Sequence, residues 1–257
     1  MKRITSPANP LYDALKKQSQ DSRARRKEGV AILDGAHLLQ AALAAGIVPD
    51  LVAVSDERLD HPETVALLTQ ISERAQLVMP EAMLAALSTV ETPTGLIARI
   101  PLPAPIHDAG AAILLDDVQD PGNVGTMLRT AAAAGLRSAY LSTGCADAWS
   151  PKVLRAGMGA HFSLAIHERA DLLAIVQAAP ARVLATDLAS GHSLYGVGLP
   201  ADCAFLFGNE GGGINQALLA IAGLRVRIPM PGSVESLNVA ASAAVCLFEW
   251  VRQHQAK

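Results

Sequence analysis

Residues 114–135, LLDDVQDPGNVGTMLRTAAAAG, pass from an apolar strand through a polar turn into an alanine-rich helix. Two later stretches have a related pattern: residues 205–215, FLFGNEGGGIN, and residues 228–249, IPMPGSVESLNVAASAAVCLFE. Each stretch places polar residues in a glycine-containing loop beside an apolar strand. Parallel α/β sheets bind ligands at the carboxyl ends of their strands, in loops of this kind. Three such loops in one half of the chain therefore predict a composite pocket on an α/β fold.

These three stretches resemble, in the same order, the three motifs of the SpoU (TrmH-type) RNA ribose methyltransferases of the SPOUT superfamily. The matching residues are Asn123-Val-Gly125 with Arg129, then Gly208-Asn-Glu210-Gly-Gly212-Gly, then Ile228-Pro-Met-Pro with Ser236-Leu237-Asn238. The resemblance spans residues 110–250. It implies methyl transfer from S-adenosylmethionine to a ribose 2′-hydroxyl of RNA. It also implies a parallel-sheet domain whose C-terminal part forms a trefoil knot.

The resemblance assigns roles to individual side chains. The catalytic residues are predicted to be Asn123, Arg129, Glu210, Ser236 and Asn238. The cofactor pocket is predicted to include Gly208, Gly212, Ile228 and Leu237, together with Thr186 at the end of the strand RVLAT. Two roles stay open for Arg129, because arginine ordinarily keeps its proton. It either accepts the proton of the 2′-hydroxyl after desolvation, or it stays cationic and binds the phosphate beside the target ribose.

Local structure offers a plainer explanation for some of these residues. Asn123 follows a Pro-Gly turn and is a good N-cap for a helix beginning at Val124. Ser236 is likewise a common N-cap residue for the last helix, whereas Glu210 could be an ordinary acid in an exposed turn. Asn238 is harder to explain by helix propensity inside a first helical turn, which favours a role in the site.

Composition limits the class of protein. The chain has 257 residues, and its three cysteines and seven histidines show no metal-ligand spacing, so we expect no metal and a reducing, cytoplasmic location. No apolar run approaches the ~20 residues of a membrane span, and we expect no membrane partner. The N-terminus also lacks the apolar segment of a secretory signal.

Alternation of predicted strands and helices gives two α/β domains. We expect a small substrate-binding (RNA-binding) domain over residues 1–100, a linker at residues 101–110 (PLPAPIHDAG), and the methyltransferase domain over residues 111–257. The first 30 residues carry eight lysines and arginines against three acids, a net charge of +5, whereas the whole chain carries −3 and the remainder therefore −8. This basic arm predicts local contacts with phosphates.

Two basic groups are predicted to contact RNA. Arg23, Arg25, Arg26 and Lys27 lie in the basic arm, on a helix predicted over residues 7–27. Lys152 and Arg155 lie three residues apart, hence on one face of a later helix. A solvated helix face is the alternative explanation for both groups.

Other functions fit the sequence less well. A dinucleotide oxidoreductase would need GxGxxG after the strand at residue 114, and a P-loop would need Lys-Ser or Lys-Thr where Ile214 follows Gly213. A catalytically inactive RNA-binding protein on this fold stays an alternative, although all three motifs are intact. Ribosomal RNA is the expected substrate, with transfer RNA as the alternative. We expect a homodimer, because the last helix (SLNVAASAAVCLFEWVRQ) has small residues suited to close packing and the family builds its active site at a dimer interface.

Overall fold

The computed structural model describes residues 1–89, 93–106 and 110–255. Its strands are β1 (Lys2–Arg3), β2 (Val30–Asp34), β3 (Leu51–Ser55), β4 (Gln76–Met79), β5 (Leu96–Pro101), β6 (Ala112–Leu115), β7 (Ser138–Leu141), β8 (Ala165–His167), β9 (Val183–Thr186), β10 (Ala204–Phe207) and β11 (Leu224–Val226). Its α-helices are α1 (Pro10–Gln20), α2 (Ser22–Glu28), α3 (Ala36–Ala44), α4 (Pro62–Leu68), α5 (Glu81–Ala85), α6 (Pro121–Ala133), α7 (Pro151–Gly157), α8 (Leu172–Ala178), α9 (Gln216–Ile221) and α10 (Val239–Gln255). These elements form two compact units: Met1–Ala104 with Trp149–Phe162, and Pro105–Ala148 with Ser163–Lys257.

The first unit is built on a five-stranded sheet in the order β1-β4-β3-β5-β2. Strand β5 runs antiparallel to both of its neighbours, and the other pairs are parallel. Apolar side chains of the sheet pack with those of α1 and α5 in one buried cluster, including Leu15, Ile32, Leu77, Leu84 and Ile97. The unit is therefore a small α/β domain with its own core, as its apolar pattern predicts.

The segment Trp149–Phe162 belongs to this first unit, whereas the sequence pattern placed it in the domain of residues 111–257. Helix α7 packs against β2. Close approach to α3 follows at Gly159, where a Cβ atom would lie 2.8 Å from the Cβ of Ala41. Only long-range packing decides this grouping, so the chain order could not predict it. Residues 107–109 of the predicted linker lie outside the described residues.

The prediction of one helix over residues 7–27 is wrong in its middle. The backbone of Asp21 is extended, with φ −117° and ψ 116°, and its carboxylate accepts a hydrogen bond from the amide of Arg23 at 2.8 Å. Asp21 therefore ends α1 and caps α2, because aspartate is among the best N-cap residues. Gly29 ends α2 in the left-handed conformation that glycine allows, with φ 64°.

The second unit contains a six-stranded parallel sheet in the order β11-β9-β10-β6-β7-β8. From β6 the chain continues to β7 on one side, while β10 lies on the other side, so the strand order reverses at the β6–β10 pair. Ligand sites of parallel sheets lie at the carboxyl ends of strands near such a reversal. Helix α10 packs against α6 and β10. The three motifs therefore come from neighbouring parts of one sheet and its covering helices.

Among the described residues, no helix is both long and apolar enough to cross a membrane.

Candidate active site

The glycine-rich loop after β10 is closed by its own backbone. The amide of Asn209 donates to the carbonyl of Gly213, and the amide of Gly213 donates back to the carbonyl of Asn209, both at 3.0 Å. A Cβ atom at Gly208 would lie 2.2 Å from the backbone of Gly213, so only glycine fits there. The side-chain oxygen of Asn209 accepts the amides of Gly211 and Gly212 at 2.8 and 2.9 Å. This loop is therefore compact and fixed.

Two side-chain bonds join this loop to the residues that follow β6. The Asn209 side chain donates to the carbonyl of Asp117 at 2.8 Å, and the Asp116 carboxylate accepts the amide of Asn215 at 2.8 Å. Asp117 itself has a left-handed backbone, with φ 58°. Asn209 and Asp116 were not among the predicted site residues, although each lies within two residues of a strand end. Their position in a polar strand-end loop was the available signal.

Glu210 connects the glycine-rich loop to the start of α6. Its carboxylate accepts the Asn123 side-chain amide at 2.9 Å, the amide of Asp120 at 3.2 Å and the amide of Gln119 at 3.4 Å. Partial burial acts to raise the pKa of the Glu210 carboxyl, but the bonds from Asn123 and from backbone amides outweigh it, and the pKa is lowered. The carboxylate is thus held anionic, with its oxygens occupied by donors.

Asn123 does not cap α6, contrary to the explanation from local sequence. The helix begins at Pro121, and Asp120 is the N-cap residue, whose carboxylate accepts the amide of Asn123 at 2.8 Å. The asparagine side chain is therefore free to bridge other elements. Its nitrogen donates to Glu210, as described, and its oxygen accepts from Asn238.

Asn238, rather than Ser236, caps the last helix. Its side-chain oxygen accepts the amides of Ala240 and Ala241 at 2.9 and 3.2 Å, while its nitrogen donates to the Asn123 oxygen at 3.0 Å. Asn238 is therefore the N-cap residue and does not lie inside the first helical turn as predicted, and its one amide group both caps the helix and bonds Asn123. Glu210, Asn123 and Asn238 form a continuous hydrogen-bonded chain that joins all three motifs.

A cavity of 420 Å³ lies beside this chain of bonds. Its lining includes, of the residues predicted in the site, Thr186, Gly208, Glu210, Ile228, Ser236, Leu237 and Asn238. Residues that the sequence analysis did not select also line it, among them Asp187, Leu188, Asn209 and Met230. Gly212 lines a neighbouring cleft instead, and Asn123 acts behind the cavity through its bonds to Glu210 and Asn238.

The cavity has the size and lining of a small-molecule site. Such pockets usually enclose about 300–1,000 Å³ and combine apolar walls with a few polar groups. Ile228, Leu237 and Met230 supply apolar surface, Glu210 and Asp187 supply carboxylates, and Arg227 supplies a guanidinium. Over residues 1–89, 93–106 and 110–255, no three His, Cys, Asp or Glu side chains are grouped to hold a metal ion.

Arg129 does not line the 420 Å³ cavity of its own chain. It is exposed on α6, six residues after Asn123. Six residues turn an α-helix by about 240° beyond one full turn, so the two side chains leave the helix in different directions. The structure therefore joins Asn123 with Glu210 and Asn238 but leaves Arg129 on the outer surface of the unit.

The predicted RNA-binding residues separate into exposed and buried groups. Arg23, Arg26 and Lys27 are exposed on α2, and Lys152 and Arg155 are exposed on α7. These positions are compatible with phosphate contacts, which stay a prediction.

The prediction that Arg25 contacts RNA is wrong, because only 4% of this residue is exposed. Its guanidinium donates to the carbonyls of Gln18 at 2.8 Å and of Ser19 at 3.4 Å, near the end of α1. It therefore joins two helices and is not available to RNA. A single helix over residues 7–27 would have made it a surface residue, and the break at Asp21 turns it inward.

Two family models and several relatives match the chain. A model described as the SpoU rRNA Methylase family matches residues 110–248, and one described as the MRM3-like substrate binding domain matches residues 14–98. The chain is 34% identical over 253 residues to the 23S rRNA (guanosine(2553)-2′-O)-methyltransferase RlmP of Bacillus subtilis, covering 96% of this chain and 98% of that protein. It is 33% identical to an uncharacterized tRNA/rRNA methyltransferase of Synechocystis, covering 98% and 94%.

One solved structure of an AdoMet-bound rRNA methyltransferase, from Sinorhizobium meliloti, superposes with a TM-score of 0.84 at 27% identity and covers 98% of both chains. The superposition supports an α/β methyltransferase fold. More than half of the 257 residues match the SpoU model. The chain therefore belongs to the SpoU rRNA methylase family, which confirms the predicted family and fold class; the trefoil knot stays a prediction.

Proposed function

We propose that this protein transfers a methyl group from S-adenosylmethionine to a ribose 2′-hydroxyl of ribosomal RNA. The observation that carries the proposal is the hydrogen-bonded chain of Glu210, Asn123 and Asn238, which draws the three motifs around one cavity. Relatives that are named ribosomal RNA methyltransferases support the substrate class, and the AdoMet-bound relative supports the cofactor.

The cavity residues suit this cofactor. When bound, S-adenosylmethionine supplies a methyl group made electrophilic by its cationic sulfur. This chain therefore has to bind the cofactor and the RNA, orient them and remove the proton of the 2′-hydroxyl. Ile228 and Leu237 offer apolar walls, and Gly208, which has no Cβ, lets the glycine-rich loop fold back on itself beside the cavity. The lowered pKa keeps Glu210 anionic, so its charge favours a cationic ligand. Because Glu210 already accepts three hydrogen bonds, we assign it to orienting the site rather than to taking the substrate proton.

We propose that the functional form is a homodimer. Arg129 is exposed on α6 away from the cavity, and Phe248 is 49% exposed on α10, which packs against α6. In a dimer formed through these helices, Arg129 of one copy reaches the cavity of the other. There it either accepts the 2′-hydroxyl proton or holds the neighbouring phosphate. Light scattering at micromolar concentration is expected to give twice the chain mass, and a fully active monomer would contradict the dimer.

The reaction is tested with purified protein, labelled S-adenosylmethionine and ribosomal RNA from a strain that lacks the gene. We expect label in 23S rRNA, and we expect the 2′-O-methyl group to stop primer extension at one nucleotide. Guanosine 2553, the nucleotide in the name of the Bacillus relative, is the first to examine. Label in transfer RNA alone would favour the alternative substrate. Binding of S-adenosylmethionine without transfer to any RNA would favour an inactive RNA-binding protein. We expect action in the cytoplasm, where ribosomal RNA is found and the three cysteines stay reduced.

A further inference from the structure

A second cavity, of 270 Å³, lies wholly within the first compact unit. It is formed where β2 passes into α3, beside the turn that contains Arg58 and the end of α7, with Arg155 in the last helical turn and Met158 directly after the helix. It shares no lining residue with the 420 Å³ cavity. Neither the predicted catalytic groups nor the predicted cofactor residues account for it.

One part of this cavity is cationic. Arg58 uses its Nε atom to donate to the carbonyl of Thr94 at 2.9 Å, and its terminal nitrogens make no hydrogen bond or ion pair with another described residue. Arg155 is exposed, and its guanidinium makes no hydrogen bond or ion pair with another described residue. His37 adds a third nitrogen-bearing side chain. Two arginines beside one cavity suit a phosphate, since guanidinium and phosphate form strong, charge-assisted hydrogen bonds.

The backbone of α3 adds donors to the same cavity. Its N-cap residue is Gly35, with φ 109°, and no side chain caps the helix. The first backbone amides of a helix have no hydrogen-bond partner within the helix. In α3 these amides belong to Ala36, His37 and Leu38, which all line the cavity. They reinforce the arginines rather than define a site by themselves.

The remaining walls differ in chemistry. Met158 has a left-handed backbone, with φ 49°, and 43% of it is exposed, so an apolar and polarizable side chain stands at the cavity. Leu96 adds buried apolar surface. Asp34, which accepts a bond from Ser88 at 2.6 Å, and Glu63 supply two carboxylates to the lining. The cavity thus offers cations for a phosphate, apolar surface for a ring and carboxylates for ring N–H groups.

We propose that this cavity binds a single unpaired nucleotide of the RNA, with its phosphate at Arg58 and Arg155 and its base against Met158 and the carboxylates. The inference rests on the proposed function for its ligand and concerns a different site. Proteins select RNA mainly through such splayed-out bases, which stack and expose their edges. Since guanine presents two kinds of N–H group to a carboxylate, we expect guanosine nucleotides to bind best.

The first test measures methyl transfer by the full-length protein across a series of RNA concentrations. Arg155→Ala is expected to raise KM for RNA roughly 5-fold or more while kcat stays within 2-fold, because a lost guanidinium–phosphate contact weakens binding and not the chemistry. Arg74→Ala removes an equal charge from an exposed position of the same unit outside the cavity and should leave KM unchanged. If Arg74→Ala raises KM as much as Arg155→Ala, loss of any positive charge of this unit carries the effect and the proposal is wrong.

The second test needs no methyl transfer. Amide chemical shifts are recorded while guanosine, guanosine 5′-monophosphate or inorganic phosphate is added to the wild type and to Arg155→Ala. We expect millimolar monophosphate to shift the amide signals of residues 36–38 and 155–158. It should bind the wild type more tightly than the nucleoside or inorganic phosphate does, and it should bind the variant at least several-fold more weakly. Equal binding of inorganic phosphate, or no shift at these residues, overturns the nucleotide site.

Failure of the two proposals gives different results. A protein that methylates ribosomal RNA but shows no nucleotide shifts and no change in KM for Arg155→Ala refutes the cavity alone. A protein that binds the monophosphate in this cavity but transfers no methyl group refutes the proposed function alone.

Discussion

Asn238→Asp is the sharpest test of the hydrogen-bonded chain in the active site. Aspartate caps a helix as well as asparagine does, so the bonds from Ala240 and Ala241 should persist. The donor to Asn123 is replaced by an acceptor, however. If the Asn123 amide turns over to donate to the introduced carboxylate, its oxygen then faces Glu210, and the bond to Glu210 is lost instead. Either way one bond disappears and two acceptors face each other.

A hydrogen bond of this kind contributes about 0.5–1.5 kcal/mol, and the lower half applies here because Asn238 is exposed to water. We therefore expect Asn238→Asp to lower the free energy of unfolding by about 0.5–1 kcal/mol. Because the motifs that line the cavity are then less firmly joined, S-adenosylmethionine should bind up to about 5-fold more weakly. Asn238→Ala removes the cap as well and should lose about 1 kcal/mol of stability more than Asn238→Asp does.

Calorimetric titration with S-adenosylmethionine and urea unfolding measure the two quantities separately. Ser236→Ala is the matched control, because Ser236 lines the same cavity but does not cap α10. It should leave stability unchanged. Cofactor affinity that is equal in the wild type and Asn238→Asp would show that the bond between the motifs does not shape the pocket. A stability loss in Asn238→Asp as large as that in Asn238→Ala would refute the N-cap assignment.

Three further results are expected. Arg25→Ala should lower the free energy of unfolding, measured in urea, by about 2 kcal/mol, because its buried guanidinium bonds two carbonyls. Arg26→Ala should leave stability unchanged, weaken RNA binding and flatten the salt dependence of that binding. The reverse pattern would contradict the burial of Arg25. Arg129→Ala should reduce methyl transfer by ~10²-fold or more and leave cofactor affinity within a few-fold, and partial rescue by Arg129→Lys at unchanged pH dependence would indicate a phosphate anchor rather than a base; equal losses of binding and turnover would make it a cofactor residue. The lowered pKa of the Glu210 carboxyl contributes stability that is present above the ordinary carboxyl pKa and is lost as the pH falls through the pKa of the folded state. The stability difference between the wild type and Glu210→Gln should therefore shrink below about pH 4. A difference that grows in acid would show that folding raises this pKa.

Short-range patterns predicted the regular elements well where one signal dominated. The apolar segments at residues 114 and 205 lie in β6 and β10, and the alanine-rich segment that follows the Pro-Gly turn lies in α6, as their patterns predict. The signal failed where one residue changed the local geometry. Asp21 ends one helix and begins another, although the residues around it favour helix, because an extended N-cap with a side-chain bond to Arg23 outweighs modest propensities.

The sequence by itself determined the family, the α/β class and the three loops that meet at the cavity, because turn chemistry and strand patterning are local properties of the chain. It also selected Glu210, Asn123 and Asn238 as site residues. Only the tertiary structure decided how they act. The bond from Asn123 to Glu210 joins residues 87 apart in sequence, and that from Asn238 to Asn123 joins residues 115 apart.

The same holds for the arginines. Arg25 and Arg26 are neighbours in a basic run, yet one is buried and the other exposed, because the break at Asp21 sets the direction of α2. Arg155 lies far along the chain from Arg58, yet both line one cavity because α7 packs on β2. Charge and residue type are fixed by the sequence, but burial and partners depend on long-range packing, which no local pattern encodes.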